Sequence, residues 1–338
     1  MPDATELLER ADALATEGHT RAAIELLTDA NRATADPVLA RHLVRLRHDA
    51  WSEIERSGPD GWDRDVPDLF AGVDRIPEVD AGELTAEMIR SAQLHHGGLV
   101  VRRLLSQEWC ERLKVSVDRA WEAIERYRET KQLDPDWFDP LDLDQYGLTM
   151  ASRAWVLNSG TGYVPDSPRL LFELLEAFDD SGIKPVIADY FEEEPALSWI
   201  KLAQRRLAPD AKGGWHQDGA VYGMTARTLN LWLPITRCGD VAPGLEMYPR
   251  RLDDMVDTMS DTGTEGFSAT ADAVQALTDE VPADRPVFEA GDAALFDQFL
   301  LHQTAAGEHY TEQRYGFECW FFAPSTYPEP ERWIPLAY

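Results

Sequence analysis

From residue 197 onward the chain breaks into short apolar and aromatic runs, separated by turns that carry Gly, Pro or Asp. The runs cover 197–207, 214–218, 228–235, 245–248, 287–289, 293–296 and 314–322. A strand of this length leaves its backbone donors and acceptors unmet unless it pairs with others, so such a series must close into sheets. Many short strands joined by Gly- and Pro-bearing turns point to a double-sheet jelly roll or barrel. The stretch 251–279, between two of the runs, has helical character instead.

The first half reads differently. Residues 5–15 place Leu7, Leu8, Ala11 and Leu14 on one stripe, and 20–33 do the same with Ala23, Ile24 and Leu27. Gly18-His19 forms the turn between them, and a third helix over 37–54 carries Leu39, Leu43, Leu46 and Trp51. The stretch 17–27 is similar to a tetratricopeptide helix-turn-helix unit. One and a half units cannot make a solenoid, which needs about three. Residues 1–57 are therefore expected to be a helical appendage packed on the main domain or on a second subunit, with peptide binding a lesser alternative. Residues 58–75, rich in Gly, Pro and Asp, read as a linker, and 76–338 as the main domain. That domain opens with a helix over 83–92, a strand over 97–102 and a long helix over 106–127, with Ser106 as its N-cap. Residues 129–167 read as irregular, a lid or wall. Helices are expected over 170–177 and 183–190. The fold class is thus an all-β core with flanking helices (α+β), jelly-roll or cupin-like, with an N-terminal helical appendage.

A net charge of −29 leaves no basic face for phosphate backbones, which excludes nucleic acid as a partner and disfavours an anionic membrane. No run approaches the ~20 apolar residues of a membrane span. The N-terminus lacks an apolar signal core. Cys110, Cys238 and Cys319 are odd in number and widely spaced, which suits a reducing cytoplasm rather than a disulfide framework or a zinc site.

Within the strand-rich half, His216-Gln217-Asp218 is followed 84 residues later by His302, and 12 residues after that by Arg314. Side chains at i and i+2 of a strand share a face, so His216 and Asp218 are expected to point together while Gln217 points away. Two imidazoles and a carboxylate suit Fe(II) better than zinc and leave positions open for a cosubstrate and dioxygen. An Arg at the position of Arg314 matches the far carboxylate of a keto acid, with Thr304 adding a hydroxyl and Trp232 an apolar wall. Plainer readings stand beside these. His309 is an alternative second ligand, His95-His96 a capped turn, and Arg314 a partner for Glu312 or Glu318.

The same blocks resemble the phytanoyl-CoA dioxygenase family of Fe(II)- and 2-oxoglutarate-dependent oxygenases. The matching residues run from Gly97-Gly98-Leu99-Val100-Val101 through Trp215-His216-Gln217-Asp218 and Leu229-Asn230-Leu231-Trp232-Leu233-Pro234-Ile235. They close with Gly291-Asp292, His302-Gln303-Thr304 and Arg314. The resemblance covers roughly residues 76–325 and implies a double-stranded β-helix. It also implies His216, Asp218 and His302 as iron ligands, and Arg314, Thr304 and Trp232 as the 2-oxoglutarate site. Two departures stand out. Pro249 is followed by Arg250-Arg251 where the family carries Gly-Ser-His, and Thr304 replaces the commoner Ser. Related halogenases lack the carboxylate of Asp218, so its presence favours hydroxylation or another oxidation.

The expected function is oxidation of a small-molecule substrate, with 2-oxoglutarate converted to succinate and CO2. Substrate contacts are expected from Tyr222 and Arg227, and from the aromatic segment around Trp155, Asn158 and Tyr163. The alternative is a scaffold or protein hydroxylase that recruits a protein partner, or forms a homodimer, through the N-terminal helices.

Overall fold

The computed structural model describes residues 3–59, 61–258 and 267–338, leaving out the side chains of residues 151, 152, 154 and 155. Its centre is an eight-stranded sheet built from β1 (Glu78–Asp80), β2 (Gly98–Arg102), β3 (Thr161–Tyr163), β4 (Ala196–Leu207), β5 (Thr228–Pro234), β7 (Ala293–Phe296), β9 (Arg314–Phe322) and β10 (Pro335–Ala337). The order is β1-β2-β7-β5-β9-β4-β10, with β3 added against β4. The β1–β2 pair is parallel and the other ladders are antiparallel. A second, two-stranded sheet pairs β6 (Leu245–Met247) with β8 (His302–Thr304).

Alternation along the central strands sorts their side chains into two layers. Leu229, Leu231, Leu233, Leu295, Phe317, Cys319 and Phe321 face outward into the larger core. There they meet α4 (Ala86–His96), α5 (Gln107–Thr130), α7 (Pro168–Ser181) and α8 (Ile183–Phe191), through residues such as Ile89, Leu113, Leu174 and Ile187. The intervening residues Trp232, Ala294, Phe296, Trp320 and Phe322 face the second sheet and build a separate inner core with Leu245 and Met247. Every residue of β5 is buried, because both of its faces are covered. The long helix α5 starts where expected, the Ser106 hydroxyl accepting the Trp109 N–H at 3.2 Å.

The N-terminal helices α1 (Ala4–Thr16), α2 (Thr20–Thr34) and α3 (Pro37–Asp49) bury Leu7, Ala11, Ala23, Leu27, Leu39, Leu43 and Leu46 among themselves, with Phe172 of α7 against them. Arg32 reaches Glu176 at 2.7 Å, and the Nδ1 atom of His48 lies 2.9 Å from the Pro335 carbonyl. The segment after them is tied down as well. Trp62 packs 4.6 Å from the Tyr190 ring, and a Cβ on Gly58 would run into the buried Arg227–Glu193 pair. This stretch is a strap against the body.

Three expectations need correction. Residues 129–167 are not wholly irregular: α6 (Met150–Asn158) and β3 lie inside them, and β3 extends the sheet. Residues 214–218 are not a strand, since His216 alone makes isolated bridges, to Ser268 and His302. Likewise 287–289 contributes only the bridge from Phe288 to Cys238. His302 comes after β7 in sequence and opens β8. Within the insertion, α10 (Ala271–Glu280) supplies the expected helix, and residues 259–266 lie outside the described part.

Candidate metal centre

His216 and His302 are clasped backbone to backbone. The His216 N–H donates to the His302 carbonyl at 2.9 Å, and the His302 N–H returns a bond to His216 at 3.0 Å. That pair of hydrogen bonds brings the two imidazole centroids to 4.3 Å from a loop and a strand distant in sequence. Each ring is then oriented by a second contact: His216 Nδ1 lies 2.8 Å from the Gly214 carbonyl, and His302 Nδ1 3.0 Å from the Leu300 carbonyl. A carbonyl only accepts, so each Nδ1 carries the proton and each Nε2 keeps a free lone pair, as a metal ligand must. Burial, then the neighbouring His216, push the His302 pKa down to about 4, which keeps that ring neutral.

The carboxylate comes from a turn. Asp218 has helical φ and ψ (−66° and −19°) and caps the short helix α9 (Gly219–Tyr222). Its Oδ2 lies 3.9 Å from His216 Nε2 and 3.8 Å from His302 Nε2. One ligand atom from each of the three residues lies within 4.8 Å of the others. Gly219 sits in a tight spot: a Cβ there would meet the Met255 methyl at 2.6 Å and the Gln298 carbonyl at 3.1 Å, so the Met255 side chain would have to move. Gln217 does point away. Its amide donates to Phe299 O at 2.8 Å and accepts from Val256 N–H at 2.8 Å, pinning the segment after Pro249 to the site.

Arg314 lies on the inner face of β9, 2% exposed, with its guanidinium 4.9 Å from the Trp232 ring. Nη1 donates to the carbonyls of Pro243 and Gly244 at 3.0 and 3.2 Å. Among the described residues no carboxylate pairs with it: Glu318 is taken bidentately by Arg205, at 2.7 and 2.9 Å. Burial lowers the Arg314 pKa, the mark of a cation deprived of both water and a counter-ion. A buried guanidinium without an anion fits the far carboxylate of a keto acid. The Gly244 carbonyl also accepts the Ala305 N–H at 3.1 Å, which sets Thr304 alongside, and a Cβ on Gly213 would lie 3.3 Å from the Thr304 side chain. His309 stacks on Tyr310 and is not part of the cluster.

The residues expected to touch substrate fare differently. Arg227 is 1% exposed and spent on Glu193, on the Phe191 carbonyl at 2.7 Å and on Ser325 at 3.0 Å, with Trp62 over it. It is an anchor for the strap. Tyr222 is 5% exposed, with its ring among Trp320, Phe322 and Trp333, so it forms the floor beneath the site rather than a wall. Asn158 is exposed and accepts from Arg128 at 3.1 Å. Tyr163 is half-buried on β3, and burial pushes its hydroxyl up to about 12. The side chain of Trp155 lies outside the described residues.

Two charged residues, Lys201 and Arg205, escaped the sequence reading, and Glu318 entered it only as a partner for Arg314. They share the inner face of β4 and β9 with Arg314, as the pairing of Ala203 with Glu318 and of Leu207 with Arg314 requires. The signal was the two-residue alternation along Lys201-Leu202-Ala203-Gln204-Arg205, where the uncharged Leu202 and Gln204 take one face and the charged Lys201 and Arg205 the other.

A jelly roll that brings two imidazoles and a carboxylate together between its two sheets is the build of the non-haem iron oxygenases. The chain belongs to the phytanoyl-CoA dioxygenase (PhyH) family, whose profile matches residues 94–313. It is thus an iron(II)- and 2-oxoglutarate-dependent oxygenase that uses dioxygen. No curated protein matches the chain. Among solved structures it is similar to EctD from S. alaskensis with 2-oxoglutarate and 5-hydroxyectoine, at 16% identity and a TM-score of 0.50. That likeness covers 81% of this chain and 85% of that one. EvdO2 from Micromonospora carbonacea var. aurantiaca, complexed with 2-oxoglutarate, matches at 16% identity and a TM-score of 0.45, over 72% of this chain and 95% of that one. No helix among the described residues is long and apolar enough to cross a membrane.

Proposed function

We propose that the protein hydroxylates a small organic substrate, with 2-oxoglutarate converted to succinate and CO2. His216, Asp218 and His302 hold the iron, and Arg314, Thr304 and Trp232 hold the far end of 2-oxoglutarate. The observation that carries this reading is the pair of Nε2 lone pairs freed by carbonyl-bound Nδ1 atoms, beside one carboxylate. Iron(II) supplies the activation of dioxygen when bound. The chain's own contribution is placement. Arg314 fixes the cosubstrate by one end, Trp232 keeps water from the guanidinium, and the clasp between residues 216 and 302 holds the ligand geometry before metal arrives. Asp218 fills the position that related halogenases leave open, which favours oxygen transfer over chlorination. Residues 1–57 serve in this reading as an appendage docked on the oxygenase domain of 76–338, with 58–75 as its strap.

Anaerobic titration of the protein with Fe(II) and 2-oxoglutarate tests the proposal. A weak visible charge-transfer band is expected in the wild type and none in His216→Ala. A folded wild type that gives no band overturns it.

A further inference from the structure

Among the described residues, the wall beside the metal centre carries one positive charge whose sole carboxylate partner is the candidate iron ligand Asp218. Lys201 lies on the inner face of β4, where the β4–β9 register slips between Leu197 and Leu202. Such irregularities re-aim side chains next to active sites. Its Nζ lies 3.7 Å from Asp218 Oδ1 and over the rings of Tyr222 and Trp333, at 4.8 and 5.6 Å. The side chain remains a quarter exposed, as does that of His216. The Tyr222 hydroxyl and the Trp333 indole N–H beneath it are buried without hydrogen-bond partners.

Charge accounting on the loaded site singles this ammonium out. Asp218 and the cosubstrate's near carboxylate balance the ferrous ion between them, and the far carboxylate balances Arg314. Arg205 and Glu318 balance each other. Among the described residues of the site, Lys201 is then left over, in a protein whose acidic residues outnumber its basic ones by 61 to 32. An ammonium that faces an open site costs desolvation unless an anion joins it.

Resting on the oxygenase reading above, we propose that Lys201 anchors the substrate, and that the substrate is an organic anion, a carboxylate or a phosphate monoester. An anion hydrogen-bonded to Nζ sits about 3 Å from it, close beside the Asp218 carboxylate. The oxidised carbon is therefore only a few bonds from the charged group. The exposed Phe267, edge-on to His216 at 5.6 Å, offers an apolar surface for the rest of the molecule.

Calorimetric titration of the protein loaded with Mn(II) and 2-oxoglutarate tests this, with benzoate, phenyl phosphate and benzamide as probes. At least one anion should bind about 10- to 100-fold tighter than the amide, the scale of a charge-assisted hydrogen bond. Lys201→Gln should erase that preference and Lys201→Arg should restore it, while 2-oxoglutarate still binds both variants as it binds the wild type. The stronger of the two anions then decides between carboxylate and phosphate. Equal binding of benzamide, or a preference that survives in Lys201→Gln, overturns the proposal. So does a tenfold or greater loss of 2-oxoglutarate affinity in Lys201→Gln, which would assign the ammonium to the cosubstrate. A wild type that takes up no 2-oxoglutarate brings down the oxygenase reading itself, a failure visible before any probe is added.

Discussion

Arg314 and Glu318 lie on one strand face four residues apart, yet the physics of the two is opposite. Arg314 is buried with only carbonyls and an indole for company, so its charge is paid for by a ligand or not at all. Replacing it with Gln should raise the Kd for 2-oxoglutarate by about 10- to 100-fold, the loss of charge-assisted bonds, with the fold intact by circular dichroism. Glu318, by contrast, is already matched. Burial alone would raise its pKa, but the Arg205 guanidinium overrides that and holds it down to about 2, from an ordinary 4.5. A depressed carboxyl stabilises the fold above its unfolded value, and that contribution fades as pH falls toward the folded one. Urea unfolding of wild type and Glu318→Gln should thus differ by a constant amount from pH 7 to about 5. The difference should shrink as the pH falls from 4.5 toward 2. Both side chains were visible in the sequence, but only Arg314 had a spacing that announced a task. Glu318 was weighed only as a partner for Arg314, and Arg205 is the partner it has.

At the scale of elements, the strap and the turn of the metal motif teach the same lesson. Residues 58–75 look like a free linker from composition, because Gly, Pro and Asp report backbone freedom and not what the chain is tied to. The tie is Arg227, which a sequence reader assigns to substrate because it stands nine residues past Asp218. Breaking its buried pair with Glu193 by Arg227→Ala should cost about 3–5 kcal/mol of stability, measured by chemical denaturation, while the KM for 2-oxoglutarate stays unchanged. A rise in that KM without destabilisation would return Arg227 to the site. The His216–Asp218 segment was read as a strand because alternation would align its two ligands. The structure aligns them with a bridge at His216 and a helical turn at Asp218. The candidate ligands, which the structure brings together, were legible; the backbone that presents them was not, since five residues cannot separate a strand from a bridged turn.

For the whole molecule, a net charge of −29 means self-repulsion that favours expansion. Raising NaCl from about 10 mM to about 500 mM shortens the Debye length from roughly 30 Å to under 10 Å, so the Tm should rise across that range. A Tm that falls with salt would show that the surface ion pairs, such as Arg32 with Glu176 and Asp179, outweigh the repulsion. The sequence by itself determined the class of fold and picked out the candidate metal ligands, since alternating strands, Gly and Pro turns and ligand types are local properties that survive without coordinates. Only the tertiary structure decided which charges are spent and which are available. Arg227 and Arg205 are neutralised by Glu193 and Glu318, whereas among the described residues Arg314 meets no carboxylate and Lys201 meets only Asp218, the candidate iron ligand. Pairing depends on distances that long-range contacts set, and no spacing along one chain encodes them.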